Sequence, residues 1–111
     1  MIRSLLLLAA LVLTAGVTGS AAAAAAHPGD PAVGRIMVYT CHGCHGIPGY
    51  RNAYPNYPVP KIAGQHYQYL VTALNEYRSG DRAHPTMRTQ AESLSEADIA
   101  NIAAYLSSLK K

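Results

Sequence analysis

Two cysteines and a histidine give this chain its most specific chemical signal, in the order Cys41-His42-Gly43-Cys44-His45. Two thiols at this spacing can add to the two vinyl groups along one side of a porphyrin, and the following histidine then lies beneath the iron. These are the only two cysteines among 111 residues, so no second framework competes for them. The pattern predicts one covalently attached haem c, with Cys41 and Cys44 as its attachment points and His45 as its proximal iron ligand.

A C-x-x-C pair also occurs in thiol–disulfide enzymes and in zinc sites. A redox dithiol is expected within a βαβ pattern, and the sequence has no β-rich alternating run. Zinc requires a second pair of ligands at matching spacing, whereas the other histidines are scattered. A single disulfide would leave His45 without a role. Haem is therefore the favoured interpretation, and an exported thiol–disulfide oxidoreductase using Cys41 and Cys44 is the alternative from another class.

The first 26 residues have the composition of a targeting segment. Arg3 is followed by an apolar stretch over residues 5–17 and by six alanines over residues 21–26. A positive start, an apolar stretch and small residues at the end are typical of a signal peptide. We expect cleavage near residue 26, a periplasmic protein and one domain over residues 27–111. After cleavage we expect no membrane insertion, with peripheral contact to membrane respiratory complexes as an option. The alternative is an uncleaved membrane anchor, although no basic stop-transfer cluster follows the alanines.

The composition of the remaining chain, roughly 85 residues long, favours a bound apolar cofactor. A domain of this size has little surface to bury, and the sequence contains no Phe and no Trp. A flat cofactor would supply the missing core volume. Without Arg3, eight basic side chains face six acidic ones, a balance that two haem propionates would neutralise. No basic arm suggests a nucleic-acid partner.

The pattern of caps and apolar residues predicts an all-α fold with three main helices. Asp30 and Pro31 are typical of a helix start, and we expect that helix to continue to about residue 41. A proline- and glycine-rich stretch over residues 46–64 is expected to be irregular. A second helix over residues 65–79 is followed by a glycine at position 80 suited to a left-handed cap. After a polar loop over residues 81–94, Ser95 with Asp98 three positions later predicts the start of the last helix.

Met87 is the best candidate for the sixth ligand of a haem iron held by His45. Met37 lies four residues before Cys41 in the first helix, too close along the chain to reach the opposite haem face. A thioether ligand is neutral and favours the reduced iron. Ligation by His84 or His66 and an open sixth position remain alternatives.

The ordered set of motifs resembles class I cytochrome c, and more narrowly the cytochrome c4 and c553 group. Four motifs besides the haem motif carry the resemblance: Pro60-Lys61-Ile62-Ala63-Gly64-Gln65, Tyr77-Arg78-Ser79-Gly80-Asp81-Arg82, Met87, and Leu94-Ser95-x-x-Asp98-Ile99. Cytochrome c4 proper carries two such domains and two haems, whereas this chain has one. The resemblance implies the cytochrome c fold wrapped around one haem.

It also implies a function. The expected role is that of a periplasmic electron carrier, not an enzyme, whose haem cycles between Fe(III) and Fe(II) with redox proteins as partners. The alternative is a cytochrome subunit of an oxidoreductase, for instance one with a flavoprotein of sulfur metabolism.

The resemblance assigns further roles. The carbonyl of Pro60 would accept the Nδ1 proton of His45, and Gly34 would face Tyr105 where the first and last helices cross. Tyrosines of the irregular stretch would line the haem edge or simply pack within the loop: Tyr50, Tyr54 and Tyr57. Four basic side chains are expected to form either a docking surface for an acidic partner or an ordinary solvated surface: Lys61, Arg78, Arg82 and Arg88.

Overall fold

A computed structural model describes residues 27–47 and 59–110, and this part of the chain contains five α-helices and no strand. The helices are α1 (Pro31–Met37), α2 (Tyr39–His45), α3 (Tyr67–Ser79), α4 (Pro85–Glu92) and α5 (Glu96–Ser108). The all-α expectation is confirmed. The expected signal peptide and the three loop tyrosines lie outside the described residues.

The first helical segment is divided, where the sequence predicted one helix ending near residue 41. Asp30 caps α1 by accepting the N–H of Ala32 at 2.7 Å. The break falls at Val38, which is fully buried and has a ψ of 2°. The Cys41 N–H then bonds the Val38 carbonyl three residues back, at 2.9 Å, which is the tighter 3₁₀ pattern common at helix ends. The chain thus resumes as α2, which continues through the whole cysteine–histidine motif.

Helix α3 ends, and helix α5 begins, where the sequence predicted. Gly80 closes α3 with a φ of 92°, in the left-handed region that favours glycine. Ser95 begins α5 with both bonds of a capping box: its hydroxyl accepts the Asp98 N–H at 3.1 Å, and the Asp98 carboxylate accepts the Ser95 N–H at 2.9 Å. These caps satisfy helix-end groups that have no partner within the helix.

The predicted polar loop over residues 81–94 is wrong in its middle part, because α4 occupies Pro85–Glu92. The segment has only Met87 and Ala91 as apolar residues at helical spacing, among polar neighbours, and this weak pattern did not indicate a helix. Its start depends on Pro85 at the first helical position and on the His84 side chain, which accepts the Met87 N–H. Met87 therefore lies in the first turn of a helix and not in a flexible loop.

The core lies where α1 crosses α5 and α3 packs on both α4 and α5. A Cβ built on Gly34 would overlap the backbone carbonyl of Asn101 and would lie 2.9 Å from the Cβ of Tyr105. The expected helix-crossing pair is thus confirmed, since only a residue without a side chain permits this approach. The buried side chains come from several elements: Val38, Ile47, Tyr67, Leu70, Ala91, Ile99, Ile102, Ala103, Ala104 and Leu106.

Candidate functional site

Helix α2 carries both cysteines and His45 within two turns. The left-handed Gly46, with φ 57°, ends this helix directly after His45, and its N–H bonds the His42 carbonyl at 3.0 Å. Cys41, Cys44 and His45 are all half-buried, and Cys41 packs against the core cluster. Two thiols and an imidazole are therefore presented together at the edge of the core.

The ring of His45 is held by a backbone carbonyl. Its Nδ1 lies 2.7 Å from the carbonyl oxygen of Pro60. Because a carbonyl can only accept, Nδ1 carries the proton and Nε2 keeps its lone pair. This is the tautomer and the orientation that a metal-ligating histidine requires. The contact expected between Pro60 and His45 is confirmed.

The segment carrying Pro60 is itself tied to the last helix. Gly64 donates its N–H to the Leu106 carbonyl at 2.8 Å, and Leu106 is buried in the core. The loop that orients His45 is thus anchored on α5. Packing in the core therefore fixes both the helix that bears the ligand and the carbonyl that orients it.

The thiol chemistry does not match a redox dithiol. Burial raises the pKa of the Cys41 thiol, with a smaller upward contribution from Cys44, against the lowering effect of its hydrogen bond to Thr40. Reactive cysteines of dithiol enzymes have a lowered pKa that favours the thiolate. The environment of Cys41 therefore favours a protonated thiol, which disfavours the oxidoreductase alternative.

A zinc site finds no support in the described part of the chain. Residues 27–47 and 59–110 contain no group of three or more His, Cys, Asp or Glu side chains able to hold a metal ion. A structural zinc site needs four such ligands. Within the same residues, no helix is both long and apolar enough to cross a membrane.

Met87 belongs to a different part of the fold from His45. It is half-buried in the first turn of α4, and α4 packs on α3. The backbone of α2, among the described helices, lies in contact range of α1 alone. The helix with the thiols and His45 therefore has no backbone contact with the helix that carries Met87. This separation and the donor set, two thiols, an imidazole and a thioether, fit a covalently bound haem.

The two histidines weighed against Met87 both stand at helix starts. His84 is the N-cap of α4, and its Nδ1 accepts the Met87 N–H at 3.3 Å. His66 is the N-cap of α3, is exposed, and makes no side-chain cap bond. The sequence had suggested His84 only as a possible ligand and missed its capping role. The Pro85 that follows it was the available signal, since proline favours the first helical position.

The expected basic docking surface is only partly available. Arg78 is half-buried and donates to the Leu94 carbonyl at 3.0 Å and to Asn75 Oδ1 at 2.8 Å, so it ties α3 to the start of α5. Arg88 pairs with Glu92 at 2.7 Å. Because Arg78 is committed to the fold, the four residues do not form one free surface. Lys61 is exposed.

Arg82 is also engaged. Its guanidinium lies over the rings of Tyr69 and Tyr77, at 5.9 and 5.1 Å from their centroids. It also donates to the Tyr69 hydroxyl at 3.3 Å. Cation–π and hydrogen-bond contacts of this kind hold an arginine in one position. Arg82 therefore contributes a fixed basic group beside α3.

Comparison with known proteins agrees with this arrangement. The family model "Cytochrome c" matches residues 32–110. The chain is 41% identical to cytochrome c4 of Pseudomonas aeruginosa over 104 residues, which cover 94% of this chain and 48% of that protein. It is 42% identical to cytochrome c-554(548) of Halomonas halodenitrificans over 83 residues, which cover 72% of this chain and 96% of that protein. It is 33% identical to the cytochrome subunit of sulfide dehydrogenase of Chlorobaculum tepidum over 107 residues, which cover 93% of this chain and 94% of that subunit.

An all-α fold and a C-x-x-C-H motif with an oriented histidine are the features of a c-type cytochrome. This chain belongs to the cytochrome c family and, within it, to the c4 group. Its cofactor is accordingly covalent haem c. The chain spans about half the length of the cytochrome c4 relatives that it matches.

Proposed function

We propose that this chain carries electrons in the periplasm through one haem. In this proposal Cys41 and Cys44 form the thioether bonds, and His45 and Met87 are the axial iron ligands. The haem supplies a one-electron couple between Fe(III) and Fe(II), and the protein supplies its binding, orientation and environment. A signal peptide over residues 1–26 and one haem-binding domain over residues 27–111 complete the proposal.

The observation that carries it is the 2.7 Å hydrogen bond from His45 Nδ1 to the Pro60 carbonyl. This bond fixes the ring, leaves Nε2 available and strengthens the donation of electrons from the imidazole. It occurs at the residue that directly follows the second thiol, where a haem ligand is required. A histidine that only packs in the core has no need to follow the second cysteine directly or to keep Nε2 unprotonated.

Met87 and the two cysteines are also suited to a protein that exchanges one electron and binds no substrate. The thioether of Met87 is neutral and soft, which favours the reduced state. The two thioether bonds hold the cofactor in place through many redox cycles. Proteins with redox activity are the expected partners, with no role for nucleic acid.

A second candidate is a subunit of a larger oxidoreductase. The similarity to the cytochrome subunit of sulfide dehydrogenase favours it, since the match covers 93% of this chain and 94% of that subunit. The two candidates share the same haem site and differ in whether a catalytic partner stays bound. Gel filtration of the native protein separates them: a carrier elutes as a small protein, whereas a subunit elutes in a complex that contains an oxidising activity.

A redox titration of the purified holoprotein, followed by absorption, tests the carrier function. We expect a reversible one-electron curve and no binding of carbon monoxide to the reduced protein, because both axial positions are taken. An absence of haem absorption would refute the proposal. Rapid carbon monoxide binding would indicate an open site and a role in gas binding or catalysis.

A further inference from the structure

The amide of Met87 is bonded by one side chain, His84. Met87 is the third residue of α4, and its N–H points to His84 Nδ1 at 3.3 Å. Pro85 has no N–H, and the first turn of α4 contains no acidic residue. The cap bond from His84 is therefore the side-chain contact that fixes the backbone of Met87.

The ring of His84 is in turn held against α3. It meets the ring of Tyr77 edge-on, with centroids 6.3 Å apart and planes at 77°. The guanidinium of Arg82 lies over the ring of Tyr77, 5.1 Å from its centroid. A continuous set of contacts thus runs from α3 through His84 to the backbone of Met87. An imidazole packed in this way holds its acceptor in a fixed position, unlike a free surface residue.

The same bond determines the tautomer of His84. A backbone N–H can only donate, so Nδ1 is the acceptor and a neutral ring must carry its proton on Nε2. Neither nitrogen then has a lone pair free for a metal. Capping α4 and ligating iron are mutually exclusive for a neutral His84, which removes it from competition with Met87 as long as the cap is intact.

From these contacts we infer that His84 is a positioning residue for the sixth haem ligand: its Nδ1 holds the Met87 backbone, and a ring engaged in this cap is not free to take the place of Met87. This inference rests on the proposed ligation by Met87. His84 acts through Met87 and does not touch the iron. Its effect lies in how often Met87 leaves the iron, not in whether haem is attached.

Two substitutions separate the acceptor of His84 from its ring. His84→Asn keeps an oxygen acceptor suited to a helix N-cap but loses the ring. His84→Phe keeps a ring against Tyr77 but has no acceptor. His66→Ala is the matched control, because His66 is also an N-cap histidine but makes no cap bond. Met87→Ala supplies the reference for complete loss of the ligand.

The readouts on the haem-loaded protein are the weak sulfur-to-iron(III) charge-transfer band, the rate of cyanide binding to the oxidised form, and the hydrogen exchange of the Met87 amide in the reduced form. Loss of an N-cap bond typically changes an equilibrium about fivefold. We expect His84→Phe to speed both cyanide binding and amide exchange by about that factor and to weaken the band. His84→Asn should stay within about twofold of wild type, His66→Ala should equal wild type, and Met87→Ala should lack the band.

Other outcomes overturn the inference in distinguishable ways. If His84→Phe behaves as wild type, or if His84→Asn and His84→Phe change the readouts equally, the cap acceptor does not position Met87. If Met87→Ala retains the wild-type band, the proposed ligand itself is wrong. Absence of the band from wild type, together with rapid cyanide binding in both His84 variants but not in Met87→Ala, would make His84 the iron ligand.

Discussion

The crossing of α1 with α5 differs from the two helices that carry the proposed haem ligands, α2 and α4, in what completes the packing. At the crossing, Gly34 lies against the backbone of Asn101, and the Asp30 N–H donates to Asn101 Oδ1 at 2.7 Å. Protein atoms alone complete that packing. Helix α2, in contrast, has its backbone in contact range of α1 alone among the described helices, although it carries three proposed haem contacts. Protein atoms complete one region, whereas in our proposal the haem completes the other.

The largest expected effect comes from removing both attachment points, with Cys41→Ala and Cys44→Ala combined. Haem should no longer be held covalently, and the small remaining core should not sustain a cooperative fold. We expect circular dichroism to show a large loss of helix and no sharp melt. Hydrogen exchange should be fastest in α2 and α4, with residual protection at the α1–α5 crossing.

If the double cysteine variant kept native helix content and melted cooperatively, α2 and α4 would not depend on the cofactor more than the α1–α5 crossing does. Gly43→Ala is the control within the same motif. Gly43 is exposed, and an added Cβ there meets nothing within 4 Å. It should leave haem attachment unchanged.

Substitution of Met87 is expected to have the next largest effect, confined to the cofactor-dependent region. Met87→Ala should open the sixth position to cyanide and carbon monoxide. It should also lower the reduction potential by on the order of 0.1–0.2 V, within the roughly 0.8 V range set by axial ligands. Met87→His should close the position again at a low potential, because imidazole stabilises Fe(III) relative to a thioether.

Potentiometry and ligand-binding kinetics check these expectations. Met37→Leu is the control, since Met37 packs beside the core and is not expected to reach the iron. An unchanged potential in Met87→Ala would show that this methionine is not a ligand.

In the protein-built region, Gly34→Ala should be strongly destabilising. The added methyl group meets the backbone of Asn101, which cannot move aside as a flexible side chain would. We expect the free energy of unfolding to fall by about 3 kcal/mol, at the upper end of overpacking effects. Urea denaturation of the holoprotein measures this loss.

Gly43→Ala, in the neighbouring helix α2, should change the stability in the opposite direction. It should raise the free energy of unfolding by about 0.5–1 kcal/mol through helix propensity. If Gly34→Ala and Gly43→Ala changed the free energy of unfolding equally, α1 and α5 could move apart at Gly34 without loss of stability.

The smallest expected effect is a pH dependence of the α5 cap. Bonds from the Ser95 backbone and hydroxyl lower the pKa of the Asp98 carboxyl below its ordinary value. The stabilisation is therefore present above the unfolded-state pKa and is lost as the pH falls through the lowered folded-state pKa. The difference in urea midpoint between wild type and Asp98→Asn should shrink as the pH is taken below about 4. A difference that is constant with pH would show that the carboxylate charge does not stabilise this cap.

The sequence predicted those features that depend on local chemistry. The Asp30 cap, the left-handed Gly80 and the Ser95–Asp98 capping box each involve groups within a few residues, and all three were confirmed. The orientation of His45 by Pro60 came from resemblance to a family, since 15 residues separate them.

Features that depend on tertiary contacts were missed. Helix α4 has only a short apolar face, Met87 and Ala91, and its start is supported by His84, which packs on Tyr77 and caps the first turn. Arg78 was expected at the surface and instead bonds the Leu94 carbonyl, 16 residues away. The break at Val38 likewise coincides with complete burial of its side chain, a property that local propensity does not contain. Neither these contacts nor this burial leaves a periodic signal in the sequence.

The attachment of one haem to α2 is tested most directly by the mass of a single peptide. Trypsin cuts after Arg35 and Arg51, so residues 36–51 form one peptide that contains both cysteines and His45. After acid–acetone extraction, which removes haem that is not covalently bound, this peptide from the mature protein should have the mass of its residues plus one haem. A peptide with the mass of the residues alone would contradict the account.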